Sequence, residues 1–286
     1  MDIRPRVVFQ PSVSSGKGLV AAAAFVGVLL VLFLVWFFFL RKGSESSSSS
    51  TPSNNVPERP KLEVEYMVSN DSGTSSETAR TINHTGTASS PAQLTLLKVN
   101  TVERKQWKVT SGGSLMVAEA FDPGAAFTLL VWVKPDDAAG LKCLATNSSG
   151  GYSTNGMRLF WNTFTEDDLG NDRALNIEVG DGTAGSVIKA EGVMVANVWR
   201  MVGITFDRAS SKMVLYIDGQ SKAESEEMKF SAKTAGPWSF GAFLAGSGDW
   251  GRAIHSSFGW IGFSRTVFTP AQIMVQYEAT KASFRN

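Results

Sequence analysis

A single cysteine, Cys143, stands in the 286 residues, so no disulfide can close within the chain. Domains matured in an oxidising compartment often carry such staples, and their absence points mildly away from one. Cys143 reads as a small buried hydrophobe and not as a reactive thiol. Histidines are scarce too, His84 and His255 only, and with one cysteine they cannot build a Cys/His zinc site. Neither histidine is accompanied by a nucleophile-elbow sequence. An excess of one charge is also lacking. The net charge is +1, and residues 1–45 hold five of the 27 basic side chains and two of the 26 acidic ones, which leaves 22 against 24 in the remainder. A near-neutral, slightly acidic body has no electrostatic footprint for nucleic acid. It also contains no long helical periodicity and no repeat of 20–50 residues.

One long hydrophobic run is present. Residues 18–40 (GLVAAAAFVGVLLVLFLVWFFFL) hold no charge over 23 positions, and about 20 apolar residues suffice for a helix to cross a bilayer core. Lys17 precedes the run and Arg41-Lys42 follow it, an ending unlike that of a cleaved signal peptide. Arg4, Arg6 and Lys17 on one flank outnumber Arg41 and Lys42 on the other, which predicts the N-terminus inside and the rest outside. The reading is a single-pass anchor whose partner is the lipid bilayer. Residues 1–17 form a tail, 18–40 the transmembrane helix and 41–60 a Ser/Pro-rich linker unable to bury a core.

From Lys61 to the end, 43% apolar and 19% charged composition overall suits a globular domain, and short β-like runs alternate with turn residues. The clearest is Phe127–Pro135 (FTLLVWVKP), with Phe127, Leu129, Val131 and Val133 on one face. Val198–Phe206 and Met213–Asp218 are further strands, and Asp218-Gly219 favours a primed hairpin turn. Others are expected at Leu62–Val68, Leu94–Val99, Ser114–Ala118, Leu141–Ala145, Met157–Trp161, Leu175–Val179, Trp238–Phe243 and Gly259–Ser264. One helix is predicted: Thr269 as N-cap, Pro270 at the first position, Gln272 at the third, then Ile273–Ala279. The fold class is all-β, a two-sheet antiparallel sandwich with a short C-terminal helix, preceded by the transmembrane helix.

Four pieces in this order, FTLLVWVKP, then VWRMVGITFDRASSKMVLYIDGQSKA at 198–223, WSFGAFLAG at 238–246 and GWIGFSRTVFTPAQIMVQYEA at 259–279, resemble the laminin-G-like, concanavalin A-like lectin/glucanase jelly-roll family. The resemblance implies a jelly roll over 61–286 with binding loops on one rim, and calcium in some members. It does not imply catalysis, because fold does not fix function.

Candidate chemistry is sparse. A glycanase needs two carboxylates flanking the scissile bond. The close acidic groups, Glu63/Glu65, Glu166-Asp167-Asp168 and Glu224/Glu226/Glu227, fall on the first strand or in polar loops, so no catalytic residue is assigned. Asp167, Asp168 and Asp172 could offer oxygen ligands to calcium, although the run EDDLGND lacks a strict ligand spacing; no other cofactor is indicated. Six of the body's seven tryptophans lie in strand-like runs and read as core. Trp250 lies instead in the glycine-rich GSGDWGR, flanked by Asp249 and Arg252. A tryptophan there can stack on a sugar or anchor a protein. Asn70, Asn83 and Asn147 each open an N-x-Ser/Thr triplet. The expectation is a non-enzymatic, membrane-anchored module of a cell surface or virion membrane, binding a glycan or protein at the loop rim. A structural component of a virus particle with an internal membrane, and a tethered glycan-active enzyme, are the rivals.

Overall fold

A computed structural model describes residues 57–284 except 69–79, 89–92, 103–105, 118–125, 137–139, 149, 163–171, 234–235, 245–249 and 252–254. The apolar run 18–40 therefore lies outside the described residues, and among these no helix is long and apolar enough to cross a membrane. In chain order the strands are β1 (Val64–Met67), β2 (Arg80–Asn83), β3 (Gln93–Val102), β4 (Gln106–Val117), β5 (Ala126–Pro135), β6 (Lys142–Thr146), β7 (Gly156–Trp161) and β8 (Leu175–Gly180). They continue as β9 (Gly185–Ala190), β10 (Arg200–Asp207), β11 (Lys212–Ile217), β12 (Gln220–Ser225), β13 (Ser239–Phe240), β14 (Phe243–Leu244), β15 (Trp250–Gly251) and β16 (Ser256–Ser264). Helix α1 (Pro270–Thr280) closes the order.

All pairings are antiparallel. The ladder runs β12-β11-β10-β5-β16-β4-β13-β6-β7-β8-β9, with β1 added to β16 and β3, then β2, added to β4. Strand β4 serves both layers, because its first half pairs with β16 and its second half with β13. The result is the two-layer sandwich expected from the alternating runs.

Strand β5 shows how alternation becomes layering. Leu129, Val131 and Val133 point into the core between the layers, beside Val202, Ile204 and Phe206 of β10 and facing Leu159, Trp161, Ile177 and Val179 of the other layer. Leu130 and Trp132 point the other way and are still buried, because α1 and the chain after it cover them. Trp132 stacks on Tyr277 and Phe284, with centroids 5.8 and 4.8 Å away, and its Nε1 donates to Thr280 Oγ1 at 2.8 Å. Trp107, Trp161, Trp238 and Trp260 are fully buried, as expected of strand tryptophans. Cys143 is buried beside Leu141 and Phe160.

Helix α1 begins as predicted. Gln272 N donates to Thr269 Oγ1, and Thr269 N donates to Gln272 Oε1, a reciprocal capping box with Pro270 at the start. Asp218 (φ 52°) and Gly219 (φ 81°) form the two-residue turn between β11 and β12, both in the left-handed region that this hairpin requires. One strand is corrected. Trp238–Phe243 is not continuous: Gly241 (φ 91°) breaks it into β13 and β14, and β14 leaves the main ladder to pair with β15.

Candidate functional site

The two layers differ in what covers their outer faces. Helix α1 lies on the β5–β10–β16 layer. On the other layer, register alone places three rows of side chains across β7, β8 and β9. Gly156, Gly180 and Gly185 stand opposite one another, then Arg158, Glu178 and Val187, then Phe160, Asn176 and Lys189.

The glycine row is a trough, and the described residues of the loop between β6 and β7, 147–148 and 150–155, lie in it. A Cβ on Gly180 would stand 2.3 Å from Thr154 O, one on Gly185 2.6 Å from Tyr152 O and Cε1, and one on Gly156 2.7 Å from Asn147 Oδ1. No side chain fits on these glycines beneath the loop; at Gly180 backbone rests on backbone, and at Gly185 the strand also meets the Tyr152 ring. Gly182 N donates to Ser153 O at 2.9 Å and fastens the loop to the β8–β9 turn. That turn is itself held by the Asp181 carboxylate, which accepts from Thr183 N, Thr183 Oγ1 and Ala184 N. The Ala184 amide, followed by the Thr183 hydroxyl and amide, lowers the Asp181 pKa to about 2.

The second row clamps the loop from the side. Arg158 is 1% exposed. Its Nη1 donates to Ser148 Oγ at 2.8 Å and Gly150 O at 3.0 Å, its Nη2 to Tyr152 O at 2.6 Å and its Nε to Glu178 Oε2 at 3.3 Å. Burial pulls the Arg158 pKa down from its ordinary value, and the Glu178 carboxylate opposes that shift. A buried guanidinium is tolerated here because its forked donors meet acceptors.

What this scaffold presents is Tyr152. The residue is 49% exposed, yet its hydroxyl donates to Gly185 O at 2.8 Å and its ring edge lies against Gly185. Val187, 46% exposed, follows two positions along the same strand face, and Glu178 is half-buried opposite it. In the third row, Phe160 is covered by Phe243 of β14 at a centroid distance of 6.3 Å.

The residues singled out from the sequence are distributed as follows. Trp250 starts β15 and its backbone pairs with Leu244 of β14, the strand whose Phe243 covers Phe160; Asp249 and Arg252 lie outside the described residues. Asp167 and Asp168 also lie outside them. Asp172 Oδ1 accepts from Ala174 N at 3.2 Å, and its Oδ2 lies 3.3 Å from Lys189 Nζ. Among the described residues no three acidic, histidine or cysteine side chains gather to hold a metal ion. Glu63 takes the Arg265 amide and guanidinium, and Glu65 Oε1 takes Arg59 and Trp260 Nε1. Asn147 is 2% exposed and its Oδ1 accepts from Met157 N at 2.7 Å, whereas Asn83 is exposed.

Two cavities open on the other layer, beside α1. One of about 470 Å³ is lined by Arg200, Asp218, Lys222, Tyr277 and Glu278, among others. The second, about 380 Å³, involves Asp207, Lys212, Tyr216, Glu224 and Phe268. Their charges are largely paired within the walls, Arg200 Nη1 with Asp218 Oδ2 at 2.5 Å and Lys212 Nζ with Glu224 Oε2 at 3.1 Å.

Sequence reasoning missed Tyr152 and Arg158. The available signal for Tyr152 was a lone aromatic in NSSGGYSTNG, the same kind of signal that drew attention to Trp250.

The laminin-G-type model of the concanavalin A-like lectin/glucanases superfamily matches residues 109–267, more than half of the chain. No curated protein matches by sequence. Among solved structures, the Trypanosoma rangeli sialidase in complex with the inhibitor DANA is 13% identical, with a TM-score of 0.58 over 91% of this chain and 40% of that one. The botulinum neurotoxin serotype D binding domain is 13% identical, with a TM-score of 0.54 over 77% of this chain and 52% of that one. The Ruminococcus gnavus IT-sialidase CBM40 bound to alpha2,3 sialyllactose is also 13% identical, with a TM-score of 0.45 over 54% of this chain and 83% of that one. The chain thus spans about half or less of the sialidase and toxin chains, and at these identities the likeness is one of fold.

Proposed function

Because the chain belongs to the concanavalin A-like lectin/glucanases superfamily, we propose that its β-sandwich is a non-catalytic glycan-binding module. The superfamily's name joins lectins, which bind glycans, with glucanases, which cleave them, and this supports a glycan as the ligand class. One observation carries the reading. The layer without α1 presents an exposed aromatic ring, an exposed valine and a half-buried carboxylate on one rigid face, at Tyr152, Val187 and Glu178. Sugar sites commonly combine an apolar surface with a few fixed polar groups.

Binding without cleavage is favoured by what the acids already do. A glycosidase needs two carboxylates, roughly 5–10 Å apart, facing the bond between them. Glu63 and Glu65 instead hold Arg265, Arg59 and Trp260. Glu178 is paired with Arg158.

The proposal extends to placement: residues 18–40 anchor the chain in a bilayer, 41–60 tether it, and the sandwich stands outside, motivated by the flanking charges Arg4, Arg6, Lys17, Arg41 and Lys42. Protease added to sealed right-side-out vesicles is expected to remove the sandwich and spare an N-terminal tag; full protection of the sandwich refutes that topology. For the activity, the chain applied to a broad glycan panel is expected to bind at least one glycan and to release no reducing ends. Hydrolysis abolished by Glu178→Gln would overturn the non-catalytic reading, and the absence of any bound glycan would overturn the module reading itself.

A further inference from the structure

We propose that Tyr152, with Val187 and Glu178 beside it, is a stacking subsite for the apolar face of an uncharged pyranose, and that the module consequently prefers neutral glycans to sialylated or uronic ones. The inference rests on the glycan-binding reading and specifies its place and its ligand class.

The ring is fixed before any ligand arrives. A surface tyrosine usually moves about its side-chain torsions, but here the hydroxyl is tied to Gly185 O at 2.8 Å. The ring edge rests where only a glycine leaves room, since a Cβ at position 185 would be 2.6 Å from Tyr152 Cε1. The main-chain oxygen of the same residue is held by buried Arg158 at 2.6 Å. One side of the ring is thus taken by strand backbone, while the residue keeps 49% of its surface exposed. An aromatic held in this way loses little conformational freedom on binding. The face of a pyranose ring is lined with C–H groups, which suit the electron-rich face of a phenol.

The neighbours select the class of sugar. Val187 is 46% exposed and extends the apolar surface. Glu178 uses Oε2 for Arg158, and its Oε1 accepts from no described residue. A free carboxylate oxygen accepts hydroxyl protons, which every neutral sugar supplies, and repels a sugar carboxylate. The Arg158 charge cannot serve an anion, because the side chain is 1% exposed and its donors are spent on Ser148, Gly150, Tyr152 and Glu178. Lys189, the cation on the next row, is shared between Asp172 and Glu191. Asp181 adds a further negative charge at the β8–β9 turn, and Lys229 acts on it. Lys229, whose amide donates to Ser186 Oγ between Gly185 and Val187, is exposed and in no salt bridge among the described residues, and two carboxylates, Glu178 and Asp181, stand against its single charge.

The test uses the full chain in detergent, with lactose and cellotetraose as neutral probes, 3′-sialyllactose as the charged probe and a broad glycan panel alongside. The expected result is affinity for a neutral glycan exceeding that for its sialylated counterpart by about tenfold or more, the ratio that a modest charge repulsion produces. Tyr152→Ala is expected to lower neutral-glycan affinity by about tenfold or more with circular dichroism unchanged, as truncating a central aromatic contact does. Tyr152→Phe, which keeps the ring, is expected to retain most of the affinity. Glu178→Gln is expected to narrow the neutral-to-sialylated ratio. Glycan binding that survives Tyr152→Ala unchanged overturns the subsite and leaves the module reading standing. Preference for 3′-sialyllactose overturns the ligand class. Failure of the whole panel to bind overturns both readings.

Discussion

Replacing Arg158 by methionine tests whether the loop of residues 147–155 owes its position to one buried charge. Methionine keeps much of the side-chain volume and removes all four hydrogen bonds, to Ser148, Gly150, Tyr152 and Glu178. Stripping one partner from a fully buried ion pair costs about 3–5 kcal/mol, because the other charge is left dry. Here the cost is smaller. The Glu178 side chain is 23% exposed, Gly150 is half-buried and Tyr152 is exposed, so three of the four acceptors regain water once the loop lifts. Only Ser148, 3% exposed, stays dry. Removing the desolvated guanidinium also relieves the penalty that lowers its pKa. The expected loss is about 2 kcal/mol, which for a domain of this size lowers Tm by roughly 4–8 °C. Hydrogen exchange localises the effect. The Thr154 amide, bonded to Gly151 O, and the Gly182 amide, bonded to Ser153 O, should exchange about 30-fold faster, whereas amides in the centre of β7 follow global unfolding only. Arg158→Lys should open the loop similarly, because one ammonium cannot reach three loop acceptors and a carboxylate at once. Wild-type Tm together with wild-type exchange in Arg158→Met would refute the clamp.

Gly185→Ala places a Cβ 2.6 Å from Tyr152 Cε1 and is expected to cost about 1–3 kcal/mol by overpacking, read as a lower Tm, with glycan affinity falling in parallel. Tyr66 is fully buried, its phenol is pushed up by burial, and its hydroxyl has no hydrogen-bond partner among the described residues. Tyr66→Phe is therefore expected to stabilise the domain by about 1 kcal/mol in denaturant unfolding, and a loss of similar size would show that the hydroxyl is bonded. The Asp181 carboxylate titrates at about 2 when folded, against roughly 3.9 when unfolded. Its hydrogen bonds thus support the β8–β9 turn above about pH 4 and are lost as pH falls towards 2. Carboxyl-carbon chemical shifts followed through an acid titration should give that low midpoint, and one near 4 contradicts the turn geometry.

The strands and helix were legible where a local pattern had a local cause. FTLLVWVKP is apolar on both faces because one face meets the opposite layer and the other meets α1, and alternation marked the strand correctly. Thr269, Pro270 and Gln272 announced the helix start because a capping box is made within four residues. Strand β9 (GSVIKA) escaped notice because only Ile188 and Ala190 face the core, too few for a period to stand out. Strand β2 (RTIN) is shorter still. The strand expected at Trp238–Phe243 reads well as an apolar run, and only the φ of Gly241 shows the break.

The candidate site was illegible for a different reason. Gly156 stands 24 residues before Gly180, and the meaning of Gly156, Gly180 and Gly185 together appears only when register sets them side by side. Arg158 resembles any strand arginine, because two of its acceptors, Gly150 O and Tyr152 O, are main-chain oxygens that every sequence possesses. Trp250 and Tyr152 gave equal local signals, a lone aromatic among small polar residues, and the sequence contains nothing to rank them.

The two layers divide the work, and under the proposed reading the division explains why recognition would fall to a loop. The α1 layer holds the point where the described chain enters: Arg59 Nε donates to Gln276 Oε1 at 2.7 Å, Gln276 Nε2 to Pro60 O at 2.5 Å, and Arg59 lies over the Trp260 ring. It also holds the end, where Phe284 packs on Trp132 and Trp199. Changes on that face therefore disturb helix, entry and exit together. On the second layer the core side of β7–β9 is filled by Met157, Leu159, Ile177, Val179 and Ile188, and the opposite side is left to shape a surface. Loops ordinarily trade positional accuracy for freedom to vary. Here the glycine trough and the buried Arg158 tie the loop to the strands beneath it, so that Tyr152 is held at its hydroxyl and at its main-chain oxygen while standing exposed above the sheet.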